Sequence, residues 1–169
     1  MKEKFDRLIL LLAELLTLYQ GILELSRRKR AVLTTGQAQD LEGITKQEEV
    51  LILQIGKLEK ARETLVKELI ASHNLNCEQL TITQIKQMAD DATAERLGEI
   101  TEGLNAIITE LSSLNEINTQ LLQQAVNFVN YNINIMARHV ADPTYAPQGQ
   151  QAGQANRTAQ AKTFFDQKI

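Results

Sequence analysis

The middle of the sequence carries an apolar seam whose members alternate spacings of three and four residues over four heptads without a slip. Between about residues 38 and 72, the seam positions are Leu41, Ile44, Glu48, Leu51, Ile55, Leu58, Arg62, Leu65, Leu69 and Ser72. A sustained seven-residue repeat keeps one stripe of a helix against a partner helix, so the pattern indicates a coiled coil. Because long charged side chains can lay their stems on such a seam, we expect Glu48 and Arg62 to keep their charged heads in water.

Helical periodicity continues on both sides of this seam. The first segment has a seam and a neighbouring stripe, which together predict a helix that contacts two others. The seam is Phe5, Leu8, Leu12, Leu15, Tyr19 and Ile22, and the stripe is Ile9, Leu16 and Leu23. The third segment begins at residues 90–93, and its seam is Leu97, Ile100, Leu104, Ile107, Leu111, Leu114, Asn118, Leu121, Ala125, Phe128, Asn132, Ile135 and His139. A second stripe there is Ile108, Leu122, Val129 and Met136. The only prolines, Pro143 and Pro147, follow all three segments, so no proline interrupts these helices.

Turn signals separate the three segments. Thr34 with Gln37, and Thr81 with Gln84, have the spacing of capping boxes, and the second opens a short helix that ends near Ala89. Short connections make consecutive helices antiparallel neighbours. The sequence therefore predicts an all-α fold, an elongated antiparallel three-helix coiled coil or bundle with a short extra helix, over residues 1–142. Residues 143–169 are rich in Gln, Ala, Gly and Asn, and we expect a flexible C-terminal tail that is disordered in isolation.

The predicted helices differ in length. At about 1.5 Å per residue, the second segment is roughly 50 Å long and the third roughly 75 Å. The end of the third helix should therefore extend past the turn near Gly36, and it carries Phe128, Val129, Tyr131, Ile133, Ile135 and Met136. Apolar surface left in water costs about 25 cal/mol per Å². Such a patch predicts a binding surface or a self-association face.

Asn118 and Asn132 occupy equivalent positions of the third seam, position a when Leu97 is counted as a. A buried Asn at position a can fix the register of a coiled coil. It can also mark contact with the backbone of a partner. The sequence leaves both interpretations open.

Groups that could build a catalytic or metal site are scarce. His73 and His139 lie in different segments, where a lone His at a helix end caps the helix or faces solvent, and Cys77 is the only cysteine. The sequence has no Gly-rich phosphate loop, no His-Glu-x-x-His pair and no Gly-x-Ser-x-Gly elbow. We therefore expect no enzymatic activity, no cofactor and no metal. A single cysteine fits a reducing compartment, and we expect a cytoplasmic protein.

Charge and hydropathy do not point to a polyanion or a membrane. The net charge is only −3, and we interpret the basic run at residues 27–30 as the last turn of the first helix, where it complements the helix dipole. The alternative is a patch for nucleic acid or lipid. The apolar stretch from Leu8 to Tyr19 is interrupted by Glu14 and is too short to span a bilayer. We expect no nucleic-acid partner and no stable membrane insertion.

Several stretches resemble FlgN-type flagellar export chaperones. Residues 46–65 are similar to the second helix of that family, and residues 114–122, with Asn-x-x-Asn-x-x-Leu-Leu, are similar to the third. Residues 128–131, the Tyr-Ala-Pro-Gln-Gly stretch at 145–149 and the end at 165–168 are also family-like.

This resemblance implies a cytosolic chaperone that is not an enzyme. It would bind the termini of hook-associated proteins of the hook–filament junction, prevent their premature assembly and deliver them to the type III export apparatus. By match of region, the resemblance places client contact on Asn118, Leu121, Leu122, Ala125, Phe128, Val129, Asn132, Ile135 and Met136. It also makes Tyr145 a candidate for docking at the export gate. The alternative is a structural coiled-coil scaffold, a homo-oligomer in which the overhanging face pairs with a second copy.

Overall fold

The computed structural model describes residues 2–73 and 80–140, with side chains described up to residue 137. Its elements are α1 (Lys2–Thr35), a 3-10 turn (Ala38–Asp40), α2 (Leu41–Ser72), α3 (Ile82–Met88) and α4 (Asp91–Val140). No strand occurs within those residues, and the predicted all-α class is confirmed. Cys77 and the whole of the predicted tail, including Tyr145, lie outside the described residues.

Backbone geometry ends α1 at Gly36. This glycine has a φ of 71°, in the left-handed region that L side chains rarely adopt. The amide of Gln37 then donates to the carbonyl of Val32 over 3.2 Å, as in a Schellman cap. The predicted capping box at Thr34 and Gln37 is wrong, because the Thr34 hydroxyl donates to the Arg30 carbonyl inside α1 and Gln37 forms no side-chain cap.

The other helix starts follow the sequence signals. The Thr81 hydroxyl accepts from the Gln84 amide, while the Gln84 side chain accepts from the Thr81 amide over 2.9 Å, so the predicted capping box of α3 is confirmed. Asp90 caps α4 by accepting a 2.9 Å hydrogen bond from the Thr93 amide. This bond is the main reason why the pKa of Asp90 is lowered.

Contacts along α1 give the direction of its neighbours. Lys4 near its start donates to the carbonyl of Glu68, and Lys29 near its end pairs with Glu48, so α1 and α2 run antiparallel. A Cβ placed on Gly103 would lie 3.4 Å from Leu16 of α1, and Asn118 bonds to the carbonyl of Ser26 further along. Helices α1 and α4 therefore run in the same direction. The complete elongated antiparallel three-helix bundle goes beyond these pairings and stays a prediction.

The core draws buried apolar residues from all four α-helices, as the seams predict. The buried cluster comprises Phe5, Leu8, Ile9, Leu12, Leu15, Ile22, Leu23, Ile55, Leu65, Leu69, Ile85, Leu97, Leu104, Leu111 and Leu114. Fully burying a side chain of this size contributes about 1.5–3 kcal/mol, so this cluster supplies the main driving force for folding.

Two predictions about charged residues, the basic run at 27–30 and Glu48, are not met by the structure. Helix α1 continues to Thr35, so the basic run at 27–30 is not its last turn. Instead, Arg27 bonds to Glu110 of α4 over 2.6 Å, and this bond raises the pKa of Arg27. Glu48 is buried beside Lys29, with 11% of its side chain exposed, whereas Arg62 on the same seam keeps a partly exposed head. Arg27–Glu110 and Lys29–Glu48 therefore join helices, whereas Arg62 pairs with Glu59 of its own helix.

The N-terminal helix is longer than its apolar stretch suggested. By length and composition, α1 could cross a membrane, and it lies near the N-terminus. Its seam, however, packs in the core through residues such as Leu8, Leu12 and Leu15. We interpret α1 as the core helix of the bundle.

Backbone contacts divide the chain into two units, Met1–Asn132 and Ile133–Ile169. The first unit contains α1, α2, α3 and most of α4. The described part of the second unit is the helical stretch at residues 133–140. The predicted boundary at residue 142 stays a prediction.

Candidate functional site

Helix α4 passes from buried to exposed within the first unit. Its seam is buried at Leu97, Leu104, Leu111, Leu114 and Asn118 and half-buried at Leu121. Every residue from 122 to 131 is then exposed. The apolar pattern of the helix does not stop where its cover stops, so core-type side chains face solvent beyond Leu121.

We call the uncovered apolar surface the distal face and define it by Leu121, Leu122, Ala125, Val126, Phe128, Val129 and Asn132. Phe128 is 66% exposed, and Leu122, Val126 and Val129 are each about half exposed. At 3.6 residues per turn these positions fall on one broad side of the helix. An exposed apolar surface of this kind is unfavourable in water, and such surfaces are typical of interaction sites.

The distal face carries no charge. No Asp, Glu, Lys or Arg occurs between Glu116 and Arg138, a stretch rich in Asn and Gln. Among these amides, Gln123 donates to Asn127 over 3.0 Å. Any partner that bound at this face would be held by apolar contact and amide hydrogen bonds.

A groove at the start of the distal face is formed by three helices. Leu33 of α1, Leu41 of α2 and Leu122 of α4 give it an apolar lining, with Lys46 and Glu49 among its charged residues. Leu122 belongs to both the groove and the distal face. An occupant of the groove would therefore reach the distal face without crossing a charged barrier on α4.

The two asparagines of the seam have different surroundings. Asn118 is only 5% exposed, and its Nδ2 donates to the Ser26 carbonyl of α1 over 2.9 Å. Asn132 is half-buried, and its Nδ2 donates to the Phe128 carbonyl of its own helix. The structure therefore does not place Asn118 on the exposed surface, and we leave it out of the distal face.

Residues predicted for client contact also occur in the second unit. Ile135 and Met136 are exposed there, and Ile133 beside them is exposed as well. Their role in binding stays a prediction.

Two exposed large apolar residues of α4 near the distal face, both in the first unit, were missing from the predicted contact set. Val126 lies one turn from both Leu122 and Val129 and completes their stripe, while Tyr131 is exposed on a neighbouring side. The spacing of four and then three from Leu122 to Val126 to Val129 is the sequence signal that identifies Val126.

Other kinds of site find no support in the described part of the chain. No group of three or more His, Cys, Asp or Glu side chains within residues 2–73 and 80–140 could hold a metal ion. His73 caps the end of α2, where its Nδ1 lies 2.9 Å from the Leu69 carbonyl, as predicted for a lone His at a helix end.

Comparisons with known proteins agree with the resemblance noted in the sequence. A similar protein from Bacillus subtilis (strain 168), described as "Uncharacterized protein YvyG", is 25% identical over 125 residues, which is 74% of this chain and 76% of the relative. No solved structure matches this chain. The family model "FlgN protein" matches residues 1–153. The chain therefore belongs to the FlgN family of flagellar export chaperones.

Proposed function

We propose that this protein is a cytoplasmic, non-enzymatic chaperone that binds hook-associated proteins before export, with the distal face of α4 as its client-binding surface. The single observation that carries the proposal is the exposed continuation of the α4 seam at Ala125 and Phe128, with Leu122 and Val129 of the neighbouring stripe exposed beside it. Family membership supports flagellar proteins as the class of partner. Hook-associated proteins as clients and the export apparatus as a second partner are part of the proposal.

The chemistry of the distal face favours a helical, apolar client segment. An amphipathic helix binds a partner through residues spaced three and four apart, as on this face. Since α4 is neutral here, the matching client surface should be apolar and uncharged. Such a segment is also what packs in a helical assembly, so covering it would prevent assembly before export.

The expected affinity is moderate. Ordering a client segment costs conformational entropy, which offsets part of the gain from burying apolar surface. A chaperone that releases its client at the export apparatus benefits from this balance. The role of Tyr145 in export-gate docking, which the resemblance implies, remains part of the proposal.

The direct experiment is calorimetric titration of this protein with a full-length hook-associated protein of its own organism. We expect one client per chaperone, and no binding when the terminal segments of the client are deleted. Replacement of Leu122 and Val129 by serine should abolish the signal. Binding that survives both replacements would reject the distal face as the site.

Salt dependence gives a second, independent test. Screening weakens interactions between exposed charges, but it does not weaken apolar contact. The dissociation constant should therefore change by less than about threefold between low and high salt. A steep salt dependence would place the client on a charged surface instead.

A second copy of the chain could also cover the distal face, and a structural scaffold would then be the function. Light scattering across a range of concentrations distinguishes the two. We expect a monomer, or a weak dimer that the client dissociates. A concentration-independent dimer that does not bind client would favour the scaffold.

A further inference from the structure

Four polar residues lie where the main buried apolar cluster of the first unit ends, although Ile44 of α2 is buried beyond them. The buried cluster extends to Leu23 on α1 and to Leu114 on α4. The next buried side chains on those helices include polar ones. We call Ser26 and Lys29 of α1, Glu48 of α2 and Asn118 of α4 the polar layer.

Three residues of the polar layer are buried and Lys29 is half-buried, and the hydrogen-bonding groups of the layer are only partly satisfied. Ser26 is 1% exposed, and Lys29 forms an ion pair with Glu48, which is itself buried. The Nδ2 of Asn118 donates to the Ser26 carbonyl over 2.9 Å. The Oδ1 of Asn118 and the Oγ of Ser26 are buried without a hydrogen-bond partner. An apolar layer here would avoid the unfavourable burial of these two oxygens, so stability alone does not explain the layer.

The other residues of the α4 seam do little to fix its register, that is, the lengthwise alignment of α4 against α1. Its positions seven residues apart read Leu97, Leu104, Leu111, Asn118 and Ala125. If α4 slid by one heptad along α1, most leucines would be replaced by leucines. Asn118 would lose its buried partner, since Ala125 would then stand opposite Ser26. The slip would also break the Arg27–Glu110 pair, but that pair is exposed and contributes little.

Such a slip would change what the protein exposes. Moving α4 by seven residues toward the start of α1 would bring Phe128 to the level that Leu121 now occupies, where the side chain is half-buried. The distal face would then be partly covered by its own chain. The register of α4 therefore determines which apolar residues are available to a client.

We infer that Asn118 and Ser26 are positioning residues that fix the register of α4 against α1 and so keep the distal face exposed. In the slipped register the buried amide of Asn118 would lose its hydrogen bond. This loss should lower the population of the slipped register relative to the present one by about 5-fold to about 100-fold. A buried Asn at one seam position is a known way to specify register. The register assignment depends only on these contacts, whereas its consequence for clients rests on the proposed function.

Disulfide trapping tests the register directly. With Cys77→Ser as background, Leu16→Cys with Gly103→Cys reports the present register, because these positions are in contact. Leu16→Cys with Glu110→Cys reports a slip of one heptad. This pair also removes the exposed Arg27–Glu110 bond, so it is compared only with itself between the two layers, which share that loss. Each cysteine pair is introduced into the protein with the wild-type polar layer and into the Asn118→Leu/Ser26→Ala variant. The cross-linked fraction of each protein is then measured after mild oxidation.

We expect only the Gly103 pair to form with the wild-type layer, and cross-linking of the Glu110 pair to increase about 10-fold or more in the apolar variant. Asn132→Leu is the matched control, since Asn132 occupies the same seam position but bonds only to its own helix. It should leave both pairs unchanged. Asn118→Ala/Ser26→Ala removes the same polar groups without adding volume, and circular dichroism verifies that each variant is folded.

The inference would be overturned if the cross-linking pattern were unchanged in both Asn118→Leu/Ser26→Ala and Asn118→Ala/Ser26→Ala while both variants are folded. The packing of α3, which places Ile85 in the core, would then be sufficient to hold the register. Client binding is measured separately on the variants. A slip that occurs without loss of binding would retain the register inference and contradict the distal face as the site.

Discussion

Replacing Phe128 by alanine should weaken client binding and leave the stability of the protein nearly unchanged. The side chain is 66% exposed in the free protein, so about two-thirds of its surface is available for burial by a client. Burying a whole Phe side chain is worth about 1.5–3 kcal/mol, and two-thirds of that is about 1–2 kcal/mol. The dissociation constant should therefore increase by about 5-fold to about 30-fold.

The same exposure explains why Phe128→Ala should leave the free energy of unfolding nearly unchanged. A surface substitution away from caps and ion pairs changes the free energy of unfolding by about 0.5 kcal/mol or less. Urea denaturation followed by circular dichroism measures this quantity. Titration calorimetry with the full-length hook-associated protein measures the affinity on the same preparation.

Leu53→Ala is the matched control for Phe128→Ala. Leu53 is 67% exposed on α2 and is therefore equally available to solvent, but it is not on the distal face. The reasoning predicts normal affinity for Leu53→Ala. Equal loss of affinity in both variants, or no loss in Phe128→Ala, would refute the assignment of client contact to the distal face.

Three further predictions concern stability. Leu111→Ala in the core should lower the free energy of unfolding by about 2–5 kcal/mol in urea denaturation, and a loss below 1 kcal/mol would contradict its burial. Glu48→Ala leaves Lys29 without its buried partner and should destabilise the protein by about 1–3 kcal/mol, whereas Glu63→Ala removes only an exposed ion pair and should have a much smaller effect. Asp90→Asn tests pH dependence: the pKa of Asp90 is lowered in the folded state, so its charge stabilises the fold above the usual value of 3.8 and this stabilisation is lost as the pH falls through the folded pKa. The melting temperatures of wild type and variant should differ at neutral pH and converge in strong acid, and an equal difference in both conditions would contradict the cap.

Local patterns in the sequence determined the helices and most of the core. The spacing of Leu97, Leu104 and Leu111 predicted which side of α4 is buried, because a helix turns by a fixed angle per residue. The Thr81–Gln84 box predicted the start of α3 because both of its hydrogen bonds close within one turn. The exposure of Phe128 followed from helix length, since α4 contains more residues than its neighbours can cover.

Whatever depends on a partner from another helix was decided only by the tertiary structure. The basic run at 27–30 is charged in any sequence-based interpretation, yet only the fold brings Arg27 to Glu110 and Lys29 to Glu48. Likewise, Asn118 and Asn132 are the same residue type at the same heptad position. One bonds to α1 and is buried, whereas the other bonds to its own helix and is only half-buried. Periodicity gives the direction in which a side chain points along its helix, but the presence of a neighbour there depends on where the other helices end.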